Sequence, residues 1–320
     1  MFKSLSPATI GALSAMIAVI CFSINDVAIK FLSDGYALHQ VVLIRTVIGM
    51  IFLLAVILPL SGGWRALRTR RPGMHLLRGI CVVFANMTFF LGLATLPLAE
   101  GVAIFFIAPL LITVMSVIFL HERVGPYRWA AVAIGMVGVI VVLRPGSAAF
   151  QPASLLPVAA AFGYAALHML TRHIGKTETT VALSYSIQVT FVCVTLGLGL
   201  FMGDGRFATG TNPSLDFLFR AWRIPAMEDW WVLLLLGVTS ALGGFFISHA
   251  YRISEAAVVA PFEYLALPLS VLWGVMVFAD WPDGRTYLGI ALILAAGLTI
   301  IWREAAGGKE SHPQTPRYRR

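Results

Sequence analysis

The sequence predicts an all-α, polytopic membrane protein with ten transmembrane helices built from two inverted five-helix repeats. Three observations carry that prediction. Hydrophobic residues make up 59% of the 320 residues and charged residues 12%, with a mean hydropathy of +0.86. No soluble domain of this length has such a balance. Apolar runs of roughly 20 residues recur along the chain, each able to cross a hydrocarbon layer of about 30 Å at about 1.5 Å per residue. Lys and Arg gather in alternate connections, as cytoplasmic loops do.

In chain order the spans are expected at 9–31, 37–60, 75–95, 98–120, 126–143, 152–172, 179–203, 229–251, 256–278 and 285–302. The first carries Asn25, Asp26 and Lys30 without a small-residue cleavage signal, so it reads as a retained helix and not a signal peptide. Leu96-Pro97 and Ile253-Ser254-Glu255 are connections short enough to require antiparallel neighbours. The longer linker 204–228, with its FLFRAWRI stretch, reads as an amphipathic segment on the outer surface. Trp230, Trp231 and Trp281 stand at span ends, where aromatic belts lie.

Orientation follows from the basic residues. With the N-terminus inside, one side collects Lys3, Arg65, Arg68, Arg70, Arg71, Arg78, Arg123, Arg128, Arg172, Lys176, Arg252, Arg303, Lys309, Arg317, Arg319 and Arg320, which is 16 of the 23. The other side collects Lys30, Arg144, Arg206, Arg220, Arg223 and Arg285, and Arg45 lies within a span. Both termini are therefore expected in the cytoplasm. The net charge of +8 is a topology signal and does not indicate nucleic acid. Cys21, Cys81 and Cys193 sit in apolar runs without ligand spacing, so neither a disulfide framework nor a metal site is expected. No phosphate-binding glycine loop, HExxH or GxSxG is present, so neither catalysis nor an ATP-driven engine is expected.

The stretch Ala256–Phe278 organises the rest. It reads as one span holding a single carboxylate, Glu263, between Pro261 and Pro268. An intramembrane charge is expensive and normally faces a cavity or a partner. Helical spacing puts Glu263, Ala266, Ser270 and Gly274 on one face, with Tyr264 beside it, as a lumen wall. The alternative is a carboxylate capped by a neighbouring helix for structure alone.

Other intramembrane polar residues sort by depth. Arg45 and Asp26 lie at similar depths from one membrane face, roughly 12 Å and roughly 8 Å. They form either a substrate clamp near the outer mouth or an ion pair joining the first two helices, with Asn25 next to Asp26 and Lys30 one turn on. Asn86 and Gln188 fall near the midplane, where amides orient ligands or bridge helices. His168 lies nearer the inner side, as does Glu263, and a carboxylate with a histidine can relay protons. His249 reads as reaching the interface, and Glu100 as interfacial. Phe105, Phe106, Phe262 and Tyr264 form either a stacking floor for a planar substrate or ordinary core.

The halves echo each other. Phe22 matches Phe162; Ala94, Val102 and Phe106 match Ala250, Val258 and Phe262; Gly125 and Gly138 match Gly284 and Gly297. Five spans per half force the second copy to run with opposite polarity, the architecture of alternating-access carriers. The run RGICVVFANMTFFLGLATLPLAEGVAIFFIAPLLITVMSVIFLHERVGPYRWAAVAIGMVGVIVVLRPG and its echo SHAYRISEAAVVAPFEYLALPLSVLWGVMVFADWPDGRTYLGIALILAAGLTII resemble the drug/metabolite transporter superfamily, EamA type. LPLAEGVAIFF, TRHIGKTETT and APFEYLAL resemble the bacterial branch containing S-adenosylmethionine and riboflavin uptake carriers. Members often have Glu at the inner end of the fourth span and after the ninth. Glu122 keeps the first, whereas Asp280 stands near the second.

The resemblance implies one repeat over 9–144 and a second over 152–303; residues 304–320 read, from their polar and basic composition, as a disordered cytoplasmic tail. The resemblance also implies a secondary carrier of a small organic metabolite in the bacterial inner membrane. Riboflavin-type uptake is the first expectation, S-adenosylmethionine uptake the second, and export of amino acids or drugs the third. An integral-membrane enzyme or scaffold is the alternative class. Expected partners are the substrate, the lipid bilayer, a coupling proton and a second copy of the chain as a homodimer. Neither a cofactor nor nucleic acid is expected.

Overall fold

The computed structural model describes residues 7–69, 71–120, 125–147, 150–174, 178–254, 259 and 262–307. Every regular element among them is helical. They are α1 Pro7–Leu32, α2 Leu38–Phe52, α3 Pro72–Leu93, α4 Leu98–Phe105, α5 Ala108–Leu120, α6 Pro126–Leu143, α7 Leu155–Ile174, α8 Thr180–Met202, α9 Pro213–Phe219, α10 Trp230–Ile253, α11 Ala266–Phe278 and α12 Gly284–Gly307. Helix α2 continues through a π-helical turn, Leu53–Ile57, to Leu60. Pro59, which has no N–H to give the helical ladder, lies just beyond that turn.

Helix starts follow local chemistry. Pro opens α3 and α6, where its missing N–H costs nothing. Thr179 caps α8 by accepting from the Ala182 N–H at 3.0 Å, and Asn212 caps α9. Asp283 precedes α12 and accepts from the Thr286 N–H at 2.9 Å. It also receives Arg144, which ends α6 with a left-handed φ of 50°. The Thr286 backbone N–H and the Arg144 guanidinium hold the Asp283 carboxyl down at about 2. That stabilisation is present above the ordinary carboxyl range and is lost as pH falls toward about 2. Asp283→Ala is expected to cost about 1 kcal/mol, the value of a cap. The check is the thermal midpoint of purified protein, with the gap from wild type closing at low pH.

Among the described residues seven helical stretches are long and apolar enough to cross a membrane, and α11 with the apolar parts of α6 and α12 are shorter. Their outward side chains are apolar: Leu60 is 83% exposed and Leu200 79%. Such a surface suits lipid and not water. Inside, buried apolar residues of all twelve helices, α1 to α12, contribute to one continuous cluster.

Contacts between connections define two ends. At the first, Lys30 Nζ donates to the Leu93 and Leu96 carbonyls, and Tyr36 bonds Asp229. Arg220 donates to Ser33 O, and the Gln40 amide pairs with the backbone of Arg223. At the opposite end Thr179 Oγ1 donates to Ala66 O. The linker 204–228 is thus folded back on the α1–α2 turn, with α-helix over α9 and a 3-10 turn beginning at Met227. Phe217 is buried there at 1% exposure, because its ring completes the core, so the segment is not a free amphipathic surface helix.

Helix α1 packs on α10 and α3 on α7; α2 lies against α8 and α10, α3 against α8, α4 against α11 and α6 against α12. The last pair meets backbone to backbone. A Cβ on Gly138 would come within 2.9 Å of Gly289 O, and one on Gly289 within 2.8 Å of Gly138 O. Small residues permit this approach where no hydrophobic effect drives association.

Two expectations are corrected. The stretch 256–278 is not one continuous helix, since a turn at Tyr264–Leu265 separates Glu263 from α11. Pro268 explains the break, because its ring would clash with the carbonyl of Tyr264 in a regular helix. The fourth span breaks likewise at Phe106–Ile107, three and two residues before Pro109. The second correction concerns the C-terminus, where α12 runs to Gly307, so residues 304–307 are helical and not tail. Glu122 and the residues beyond 307 lie outside the described residues.

Candidate functional site

A cavity of about 250 Å³ lies between α1, α2, α3, α4, α7, α8 and α10. Its wall holds Asn25, Asp26, Arg45, Asn86, Phe106, His168, Gln188 and Glu263. Of the residues singled out in the sequence, Tyr264 does not line it. Tyr264 lies behind the wall with its ring centroid 5.2 Å from that of Phe106, and these two residues mark the two helix breaks. Ser270 and Gly274 are buried away from the cavity, because the turn at 264–265 ends the face they were expected to share with Glu263.

One group of polar residues sits toward the linker end. Arg45, 4% exposed, donates from Nη2 to Asn86 Oδ1 at 2.9 Å and lies 5.2 Å over the Phe191 ring. Its Nε has no partner among the described residues. The expected ion pair with Asp26 is therefore not formed: Asn86, on a facing helix, takes the guanidinium. Asp26 shares the cavity and remains within Coulombic reach. Lys30 turns away from Asp26 to cap the last carbonyls of α3, a favourable place for a cation. Asn25 Nδ2 donates to Thr239 Oγ1 at 2.7 Å, and its Oδ1 has no partner among the described residues. Gln188 reaches the cavity where α2 and α10 nearly touch; a Cβ on Gly49 would lie 2.9 Å from its Nε2 and 3.0 Å from Gly237 O.

A second group sits toward the opposite end. Glu263, 9% exposed, accepts from the Tyr251 hydroxyl. His168 lies between two tyrosines, 4.3 Å from the Tyr164 centroid and 4.8 Å from that of Tyr251. Tyr164 continues to Phe105 at 5.2 Å and Phe105 to Phe89 at 5.0 Å, so five cavity rings form a ladder ending at the carboxylate. Arg78, counted from sequence among the inner loop charges, is 1% exposed in the cavity wall and donates from Nε to Thr171 Oγ1 at 2.9 Å. Nearby His75 meets Ser186 at 2.8 Å and Glu178 at 3.3 Å. His249 does not line the cavity and stacks on Phe245.

Tyr164, Thr171, Tyr251 and Arg78 were not picked out from sequence, yet helical spacing carried a signal. Arg78, Val82, Asn86 and Phe89 follow one stripe of α3, and Tyr164, His168 and Thr171 one stripe of α7. Among the described residues no group of His, Cys, Asp and Glu is placed to hold a metal ion.

Charged and amide side chains converging on an internal cavity of a helical membrane protein are what a transporter's pathway requires. The chain belongs to the EamA-like transporter family, whose model matches residues 9–144. It is 32% identical to a riboflavin transporter of Rhizobium johnstonii, covering 93% of each chain. It is 28% identical to an S-adenosylmethionine uptake transporter of Rickettsia felis, over 93% of this chain and 94% of that one. A crystal structure 20% identical in sequence shares the fold, with a TM-score of 0.67 over 94% of this chain and 99% of that chain.

Proposed function

We propose that the chain is a secondary carrier for riboflavin-type uptake across the bacterial inner membrane, working by alternating access around the central cavity. The single observation that carries this reading is the wall itself. Flat rings and a few hydrogen-bonding groups in one helical cavity suit a planar, polar, largely uncharged molecule. Uptake of S-adenosylmethionine is the second reading. It is favoured by the presence of Arg45, Arg78, Asp26 and Glu263 in one cavity wall, which would match a ligand bearing both charges.

The inverted repeat over 9–144 and 152–303 is part of the proposal. The long and short apolar helices together would supply ten spans. The packing α1–α10 has a counterpart in α7–α3, and α2–α10 in α8–α3, while α2–α8 and α6–α12 join equivalent members. That pattern is what a two-fold axis in the membrane plane would give. The coupling ion is a proton, carried at Glu263.

Two experiments test this reading. Expression in a riboflavin auxotroph lacking its own importer is expected to restore growth on micromolar-range vitamin, and failure with proven membrane insertion would reject the substrate. For topology, both termini and residue 69 are assigned to the cytoplasm and the linker 204–228 to the outside, from the charge asymmetry. Ser214 is buried and bonded to Leu91 O, so Ala208, which is exposed, is the better probe. In a chain with its cysteines replaced by Ala, Ala208→Cys is expected to react with an impermeant maleimide in whole cells. Thr69→Cys is expected to stay unlabelled, and the reverse pattern inverts the assignment.

A further inference from the structure

Arg78 is almost completely buried in the cavity wall, yet its Nη1 has no hydrogen-bond partner among the described residues. Its Nε is held by Thr171 at 2.9 Å, which fixes the direction of the guanidinium. One turn along the same face of α7 stands His168, 9% exposed, whose Nε2 is also without a partner. A further turn on stands Tyr164, its ring edge-to-face with both His168 and Phe105. Two buried, unmatched nitrogens thus sit beside a cluster of edge-to-face aromatic rings inside a cavity. Buried polar groups are nearly always satisfied, and exceptions call for an explanation.

Charge is not what this corner lacks. Glu178 lies within Coulombic reach of Arg78, and Glu263 faces the same space through Tyr251. What is missing is a hydrogen-bond partner for each nitrogen. A guanidinium N–H requires an acceptor, whereas a neutral imidazole nitrogen takes a donor or an acceptor according to tautomer. We infer that this corner is a subsite for an uncharged planar nitrogen heterocycle, its π-face on Tyr164, its rim against Phe105 and its hydrogen-bonding edge on Arg78 Nη1 and His168 Nε2. Riboflavin presents a C=O, N–H, C=O edge on its ring, and adenine, the base of S-adenosylmethionine, presents an amino group beside a ring nitrogen. Both supply an acceptor for Arg78 with a donor beside it. The inference rests on the carrier reading above, but it concerns ring recognition and is separable from which molecule is transported.

The test is direct binding to the purified full chain in detergent, using fragments as probes. Lumichrome and adenosine supply rings; ribitol and methionine supply the remaining parts. The rings are expected to bind and the other fragments not. Arg78→Gln and Tyr164→Leu are each expected to weaken ring binding at least tenfold, in the range set by losing one stacking or charged hydrogen-bond contact. Riboflavin 5′-phosphate is expected to bind no more tightly than riboflavin. The inference is overturned if no ring fragment binds, if both variants bind rings like wild type, or if the phosphate adds tenfold or more in affinity. Should Arg78→Gln fail to give monodisperse protein, Tyr164→Leu, which removes no charge, decides alone. Arg78-dependent ring binding without growth of the auxotroph would sink the substrate reading and leave the subsite standing. Growth with unchanged ring binding in the variants would do the opposite.

Discussion

Glu263→Gln is expected to abolish gradient-driven accumulation of substrate while leaving the yield of folded protein intact. The side chain is buried in the cavity wall, immediately before the turn at Tyr264–Leu265, and accepts from the Tyr251 hydroxyl. Gln keeps the size and, through its amide oxygen, the bond from Tyr251, and removes only the group that takes up a proton. The groups that share the cavity with it are Arg78 on α3, Tyr164 and His168 on α7, Tyr251 on α10, Asp26 on α1 and Arg45 on α2. None of them replaces a missing carboxylate at that position. A coupling role predicts loss of uphill transport with survival of exchange, which needs no net proton movement. A purely substrate-binding role predicts that both modes weaken together. Accumulation at the wild-type level under an imposed proton gradient would make the carboxylate structural.

The second large effect is expected at Arg45. Its guanidinium is buried, bonded to Asn86 and stacked over Phe191, with Asp26 sharing the cavity. The two opposed charges share one buried cavity without a direct ion pair, and removing either leaves the other less compensated. Arg45→Gln and Asp26→Asn are therefore each expected to reduce folded, monodisperse protein sharply. The double variant, which strands no charge, is expected to recover most of the loss. Asn86→Ala removes only the acceptor and is expected to cost about 1–3 kcal/mol. Thermal midpoints of the four variants measure this directly. A double variant as damaged as the sum of the singles would show that the two charges do not compensate each other.

Much of this was legible in the sequence because a bilayer imposes few solutions. Spanning length, charge asymmetry and isolated polar residues in apolar runs located most of the helices and several polar positions that line the cavity. Asn25, Asp26, Arg45, Asn86, Phe106, His168, Gln188 and Glu263 were visible as polar or aromatic positions within spans, and they converge on one space. Pairing was less legible, because depth along a helix says nothing about rotation around it. Arg45 and Asp26 match in depth, yet the helix faces bring Asn86 to the guanidinium. Arg78 was hidden by its neighbours. With Arg65, Arg68 and Arg71 close by, it read as one more loop charge, although α3 begins at Pro72 and encloses it. The breaks at Phe106–Ile107 and Tyr264–Leu265 were encoded in Pro109 and Pro268, but spans tolerate proline, and only packing decides whether a helix bends or breaks.

The most direct test of the carrier reading is transport by the purified full chain in liposomes under an inwardly directed proton gradient. Labelled riboflavin is expected to accumulate above its external concentration, to saturate, and to be lost with the Glu263→Gln variant. Uptake of neither riboflavin nor S-adenosylmethionine above that of protein-free liposomes, by protein shown to be folded and inserted, would contradict it.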